Sequence, residues 1–326
     1  MRVVSLVPSA TEILCLLGGR ELLVGRSHEC NSPTDAGLGE LPVLTKRTTD
    51  AGAAPGEIDA IVRADVAAGR PLYRLDERLL SALRPDLILT QDLCGVCSID
   101  LASVRRAAER LDRPARIVSL NPETVEDVLD DVLRVGRAAG LEERARHAAV
   151  ELRSRLWRAQ EHVNPYADGP VVGFLEWTDP LFVAGHWTVQ LIERAGGRHP
   201  LNPTVARAGS GAAAGTQMGE RVAGASVAVA PEAFVASRPE FVVVAPCGVE
   251  LARAYGEAEA LTRRAWWGEL PAARSARVAV VDGDAMFNRP GPRLVDAFEW
   301  LVGWLNDRPG LMPRGFPWRP LRSPAP

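Results

Sequence analysis

The sequence predicts an α/β protein of two similar lobes with mostly parallel sheets, joined by a long α-helix, with a ligand cleft between the lobes. Three observations predict it. Three patterns each occur twice, in the same order, along the 326 residues. Short β-rich apolar runs alternate with helix-periodic ones, as parallel sheets with helical crossovers require. Between the two sets lies a stretch at 141–163, rich in Glu, Arg, Ala and Leu, that partly fits a helix and ends at Asn164-Pro165. Parallel sheets bind ligands beyond the carboxyl ends of their strands, so two lobes would offer two such edges.

The first pattern is a strand at 2–8 leading to a helix that stops at Gly18-Gly19, matched by 171–176 and a run that stops at Gly196-Gly197. Ser9 is expected to cap the first helix, with Glu12 at the capping-box position. The second pattern is Arg84-Pro85-Asp86 before the apolar run 87–90, matched by Arg238-Pro239-Glu240 before 241–245, each followed by a cysteine and a glycine. The third is a strand at 116–120 or 277–281 before an apolar-periodic helix at 125–135 or 294–305. The expected organisation is an amino-terminal lobe at 1–140, a connecting helix at 141–164, a carboxyl-terminal lobe at 165–307 and an irregular proline-rich tail at 308–326. Residues 200–226, dominated by Gly, Ala, Thr and Arg, read as a long surface loop, a mobile connection or a lid beside the cleft.

Composition narrows the function classes. The length suffices for two cores, and 47% hydrophobic with 24% charged residues is ordinary for a globular protein. A net charge of −3, without basic and aromatic residues interleaved, argues against a nucleic-acid partner. No apolar span of eighteen residues is present, which argues against membrane insertion. Arg2 runs directly into the first strand with no secretory pattern, so the expected location is cytoplasmic, or periplasmic if the chain is already processed. Five cysteines, an odd number, suit a reducing compartment. An enzyme is not expected: there is no Gly-x-Gly-x-x-Gly after a strand, no phosphate-binding loop and no His-Glu-x-x-His.

Four cysteines follow predicted strands: Cys30 after 22–25, Cys94 and Cys97 after 87–90, and Cys247 after 241–245. Cys15, on an amphipathic helix, reads as a small buried hydrophobe. The two-residue spacing of Cys94 and Cys97 lets two thiolates share a metal or form a reversible disulfide. With His28-Glu29-Cys30 they supply three sulfurs and an imidazole, enough for tetrahedral zinc. Ligand contact, structural zinc and unligated thiols all stay open. In the second lobe, Glu176-Trp177 and Gly185-His186-Trp187 place a histidine at a predicted strand end, where one ring nitrogen can meet a metal or the backbone. Trp177 and Trp187 can cover a planar ligand or pack in the core. Phe287-Asn288-Arg289, before Pro290-Gly291-Pro292, offers amide and guanidinium donors, or a turn and cap. The candidate metal ligands are His28, Cys30, Cys94, Cys97 and His186, as alternatives and not as one site. His147, His162 and His199 are expected in solvent.

These motifs, Val4-Ser-Leu-Val-Pro-Ser-Ala-Thr-Glu12, Ser27-His-Glu-Cys30, Arg84-Pro-Asp-Leu-Ile88, Leu89-Thr-Gln-Asp-Leu-Cys94, Gly185-His-Trp187, Ala245-Pro-Cys-Gly248 and Asn288-Arg-Pro-Gly-Pro292, together resemble the cobalamin-binding or iron-chelate-binding substrate-binding proteins of ABC importers. The likeness runs from about Arg2 to Trp304. It implies a monomer that reversibly binds cobalamin, another corrinoid or a related metal chelate in the interlobe cleft. Such a protein hands its ligand to an ABC importer permease if exported, or carries it inside the cell. The contacts implied are His28, Glu29, Cys30, Gln91, Cys94, Cys97, Glu176, Trp177, His186, Trp187, Cys247, Phe287, Asn288 and Arg289. Two other readings are a zinc-dependent scaffold or regulator with a Cys/His site, and a tetrapyrrole chelatase-like enzyme.

Overall fold

Runs such as Leu87–Thr90 and Phe241–Val244 lack polar alternation, as strands covered on both faces do. In the computed structural model both are fully buried strands. The structure describes residues 1–48, 52–92, 99–207 and 220–322. The chain forms two compact units, Met1–Pro122 with Glu126–Arg153, and Glu123–Val125 with Ser154–Pro326.

In the first unit the strands Leu23–Arg26, Val3–Ser5, Leu87–Thr90 and Arg116–Ser119 lie side by side in that order, all parallel. Helix Val125–Ala139 buries Val125, Val128, Leu129, Val132 and Val135, the three-and-four spacing of one helical face. A short antiparallel ribbon pairs Thr45–Arg47 with Tyr73–Leu75.

The second unit repeats the central arrangement: Val172–Thr178, Phe241–Val244 and Val278–Val281 are parallel neighbours in that order. Its edges differ. Leu181–Val183 and Val227–Ala228 add antiparallel strands on one side and Trp318–Pro320 adds another on the other, so this sheet is mixed. Helix Leu294–Leu305 is apolar nearly all round, and it buries Leu294, Val295, Phe298, Trp300, Leu301 and Val302.

The repeat extends to single hydrogen bonds. Arg84 and Arg238 both take a left-handed backbone, with φ of +45° and +51°. Asp86 Oδ2 accepts the Arg2 N–H at 2.7 Å, and Glu240 Oε1 accepts the Val171 N–H at 3.1 Å. In return, the N–H groups of Asp86 and Glu240 donate to the carbonyls of Arg2 and Val171 at 2.8 Å. Each carboxylate thus satisfies a backbone donor that the first strand of its unit would otherwise leave open.

Stretch 141–163 forms one helix, Glu142–Gln160. Arg153 pairs with Glu126 and Asp130 of the first unit, and Arg155 with Asp296 and Glu299 of the second. Three expectations are corrected. The first helix begins at Pro8 with Val7 as its N-cap and no side-chain cap, so Ser9 lies inside it with a buried hydroxyl that has no hydrogen-bond partner among the described residues. Proline at the first position has its φ already set for a helix and takes over the start. The tail is not irregular, because Phe316 and Trp318 pack on Trp300 and carry Trp318–Pro320 onto the sheet. The loop at 200–226 contains a ribbon of Val205–Ala206 with Arg221–Val222, and its central residues 208–219 lie outside the described ones.

Candidate functional site

At the carboxyl edge of the first sheet the chain folds back on itself. Ser27 donates its N–H to the Ser5 carbonyl at 2.8 Å, and Cys30 donates to that of Ser27 at 3.2 Å. The turn carries Cys30 under the sheet end, where it is 0% exposed; its sulfur accepts from Thr11 Oγ1 at 3.0 Å and lies 3.5 Å from Ser27 Oγ. The expectation that Cys30 points to the mouth is therefore corrected. His28 stays partly exposed, with Nδ1 2.8 Å from Thr45 Oγ1, Nε2 3.7 Å from Glu29 Oε1 and without a hydrogen bond among the described residues, and the ring 5.8 Å from Tyr73. Burial lowers its pKa, against the pull of Glu29. Glu29 is itself engaged by Arg47. Gln91 is buried at the end of its strand.

Cys94 and Cys97 lie outside the described residues. Among the described residues, no three His, Cys, Asp or Glu side chains gather as a metal site. The zinc reading thus has only His28 and Cys30 in view, and these turn to different partners, Thr45 and Thr11.

In the second unit the pairing of Val172–Thr178 with Leu181–Val183 slips between Leu175 and Trp177, leaving Glu176 as the extra residue. Such bulges re-aim a side chain. The part-buried Glu176 side chain accepts from Ser226 Oγ and the Gly185 N–H, and burial raises its pKa to about 7. Next to it, just past strand Leu181–Val183, His186 opens helix His186–Arg194 and holds a left-handed φ of +49°. That conformation costs a non-glycine residue about 1–2 kcal/mol. Its N–H donates to Gly224 O at 2.8 Å, and Asn202 Nδ2 clamps the Ala184 and Ala225 carbonyls at 2.9 and 3.0 Å. Gly185 is required here: a Cβ would stand 2.3 Å from Ser226 N and 2.5 Å from Ala225 C.

The His186 ring stacks on Trp187, with centroids 5.6 Å apart, and among the described residues its nitrogens have no hydrogen-bond partner. Burial lowers its pKa, only partly opposed by Glu123, so the imidazole is neutral at neutral pH and has a lone pair to offer. Cys247 is exposed at the same edge, and its N–H donates to Glu176 O at 3.0 Å.

Residues 3–285 match the periplasmic binding protein family. The chain belongs to that family. The resemblance drawn from its motifs is borne out at this level, and the family is one of binding proteins. Comparison with curated proteins gave no match. Similar solved structures include a periplasmic heme-binding protein from Pseudomonas aeruginosa, at 21% identity over 94% of this chain and 92% of that one, TM-score 0.66. Another is the periplasmic vitamin B12 binding protein BtuF of Vibrio cholerae, at 20% identity over 94% and 97%, TM-score 0.64. A third is an ABC transporter substrate-binding protein from Listeria monocytogenes EGD-e, at 16% identity over 94% and 98%, TM-score 0.65. At such identities the likeness is one of fold. The cytoplasmic expectation finds no support, since the family and two of these relatives are described as periplasmic. Among the described residues, no helix is long and apolar enough to cross a membrane.

Several expected contact residues have partners within the fold. Trp187 is 6% exposed and its Nε1 donates to Phe287 O at 2.6 Å, so its indole is core and not an open wall. Phe287 is 0% exposed against Phe174 and Trp300. Asn288 spends its amide on the Ala245 and Gly283 carbonyls at 3.0 and 2.9 Å, and Arg289 is 8% exposed and paired with Asp284. Trp177 is half-buried, with its Nε1 on Asp179 O. His199, expected in solvent, is buried with Nδ1 2.8 Å from Val172 O, whereas His147 and His162 are exposed as expected.

Asn202 and Ser226, which hold the His186 turn, lie in a stretch without a site motif; Asn202-Pro203, a turn signal, is the one available clue in the sequence. A groove of about 580 Å³ lies at the opposite, amino edge of the second sheet. There Arg198 already bonds Gly169 O and Arg277 covers the Phe241 ring, which leaves the carboxyl edge as the better candidate.

Proposed function

We propose that this protein reversibly binds a planar metal chelate of the corrinoid or heme kind and presents it to an ABC importer outside the cytoplasmic membrane. In this reading His186 supplies or orients the axial contact. The observation that carries it is the His186 ring: neutral, backed by Trp187, and unpartnered among the described residues at the carboxyl edge of its sheet. A neutral imidazole is a good ligand for cobalt and iron alike. Support for the ligand class comes from relatives of the same fold whose names state vitamin B12 or heme binding. A corrinoid is the more specific form of the proposal. The exposed Cys247, partly exposed His28 and buried Gln91 are further candidate contacts.

The test is a visible-absorption titration with hydroxocobalamin and, separately, with hemin. Binding should be saturable, release the chelate unchanged, and shift the visible bands as an axial group is exchanged. His186→Ala should weaken binding about tenfold or more and abolish that shift, since loss of even a group that only orients a metal ligand typically costs about ten- to a hundredfold. His162→Ala, on an exposed site, should do neither. Failure of both chelates to bind the folded protein would remove the proposal. Binding with an unchanged spectrum in His186→Ala would remove the axial role.

A further inference from the structure

We propose that Glu176 is the positioning residue of this site: its carboxylate ties the turn at 184–186 to the strap at 224–226 and so sets the direction of the His186 ring. The consequence for binding rests on the proposed function above. The tie itself stands on geometry alone.

Four contacts converge on the turn. Glu176, projected by the bulge in its strand, accepts from Ser226 Oγ on the strap and from the Gly185 N–H on the turn, joining the two through one carboxylate. His186 N–H reaches back to Gly224 O at 2.8 Å, and Asn202 bridges Ala184 O and Ala225 O. The missing Cβ of Gly185 lets turn and strap approach until their backbones touch. A left-handed histidine persists only where its surroundings over-determine it. Of these contacts the Glu176 carboxylate is the one side-chain group joining turn, strap and central strand, and among the described residues it has no ion pair. Holding a carboxylate away from water without a counter-ion costs free energy, which its hydrogen bonds to turn and strap offset.

Hydrogen exchange by mass spectrometry on the ligand-free protein reads the tie, and titration with hydroxocobalamin and hemin reads its consequence. Glu176→Ala should speed exchange about tenfold or more at 185–187 and 224–226 while leaving 87–90 unchanged, because a hydrogen bond to a charged acceptor is worth about a factor of ten or more. It should weaken whichever chelate the wild type binds by about tenfold and move the bound spectrum toward that of His186→Ala. Glu176→Gln keeps the shape and one acceptor oxygen and should fall between the two. Ser226→Ala should move both readouts the same way by a smaller step, and it carries the test if Glu176→Ala does not fold. Unchanged exchange in folded Glu176→Ala and Ser226→Ala overturns the proposal. So does lost affinity without faster exchange, since the carboxyl would then touch the ligand directly. If the wild type binds neither chelate, the functional reading fails and the exchange data alone decide whether Glu176 holds the turn.

Discussion

Replacing Glu176 by glutamine should change how stability depends on pH in a calculable way. Burial raises the folded pKa of Glu176 from 4.5 to about 7. The folded state therefore holds a proton that the unfolded state gives up earlier. Below pH 4.5 both states are protonated and the residue costs nothing. As pH rises from 4.5 to 7 the unfolded chain ionises first, and stability falls. Above 7 the loss is complete and constant. A difference of about 2.5 pH units corresponds to about 3 kcal/mol at 1.36 kcal/mol per unit. Glutamine does not titrate, so the stability of Glu176→Gln minus that of the wild type should rise by about 3 kcal/mol between pH 4.5 and pH 8. His199 and other groups common to both proteins cancel in the difference. All eight tryptophans fall at 157 or beyond, within the second unit, so urea denaturation followed by tryptophan fluorescence reports that unit separately. Parallel pH profiles for the two proteins would refute the burial argument.

Two more outcomes follow from residues that the fold claims. Phe287→Ala should destabilise the second unit by about 3–5 kcal/mol in the same fluorescence assay, as removal of a fully buried aromatic does; a small loss paired with failed chelate binding would return Phe287 to the site. In a Cys94→Ser/Cys97→Ser background, a thiol reagent should label Cys247 quickly and Cys30 only on unfolding, and prompt labelling of Cys30 would contradict its enclosure by Thr11 and Ser27.

The ordered duplication made the fold legible, because strand runs such as Phe241–Val244 and periodic helices such as Val125–Ala139 signal themselves locally. The site was legible only in outline. A sequence shows that a strand has ended, and so placed His28, His186 and Cys247 at sheet edges. It does not show which way the next residues turn. Cys30 follows its strand by only a few residues yet drops into the core, because a turn closed by the Cys30 N–H on the Ser27 carbonyl bends the chain there. Asn288 and Trp187 looked like donors and walls for a ligand, but their partners are carbonyls 43 and 100 residues away along the chain. Glu176 became informative only once its pairing partner was known, since a bulge is a property of two strands and not of one.

The edges of the second sheet bear on how its inner strands are kept from pairing with another chain. Its inner strands, Phe-Val-Val-Val and Val-Ala-Val-Val, have the composition that templates intermolecular strand pairing. Neither faces out. One edge ends in the two-residue strand Val227–Ala228; the other ends in Trp318–Pro320, where Pro320 sits opposite Ala279 and has no N–H to offer a further chain. The proline-rich carboxyl end is thus a guard strand: a chain ending before Pro317 would keep the residues proposed to meet ligand and lose the cover over its most aggregation-prone segment.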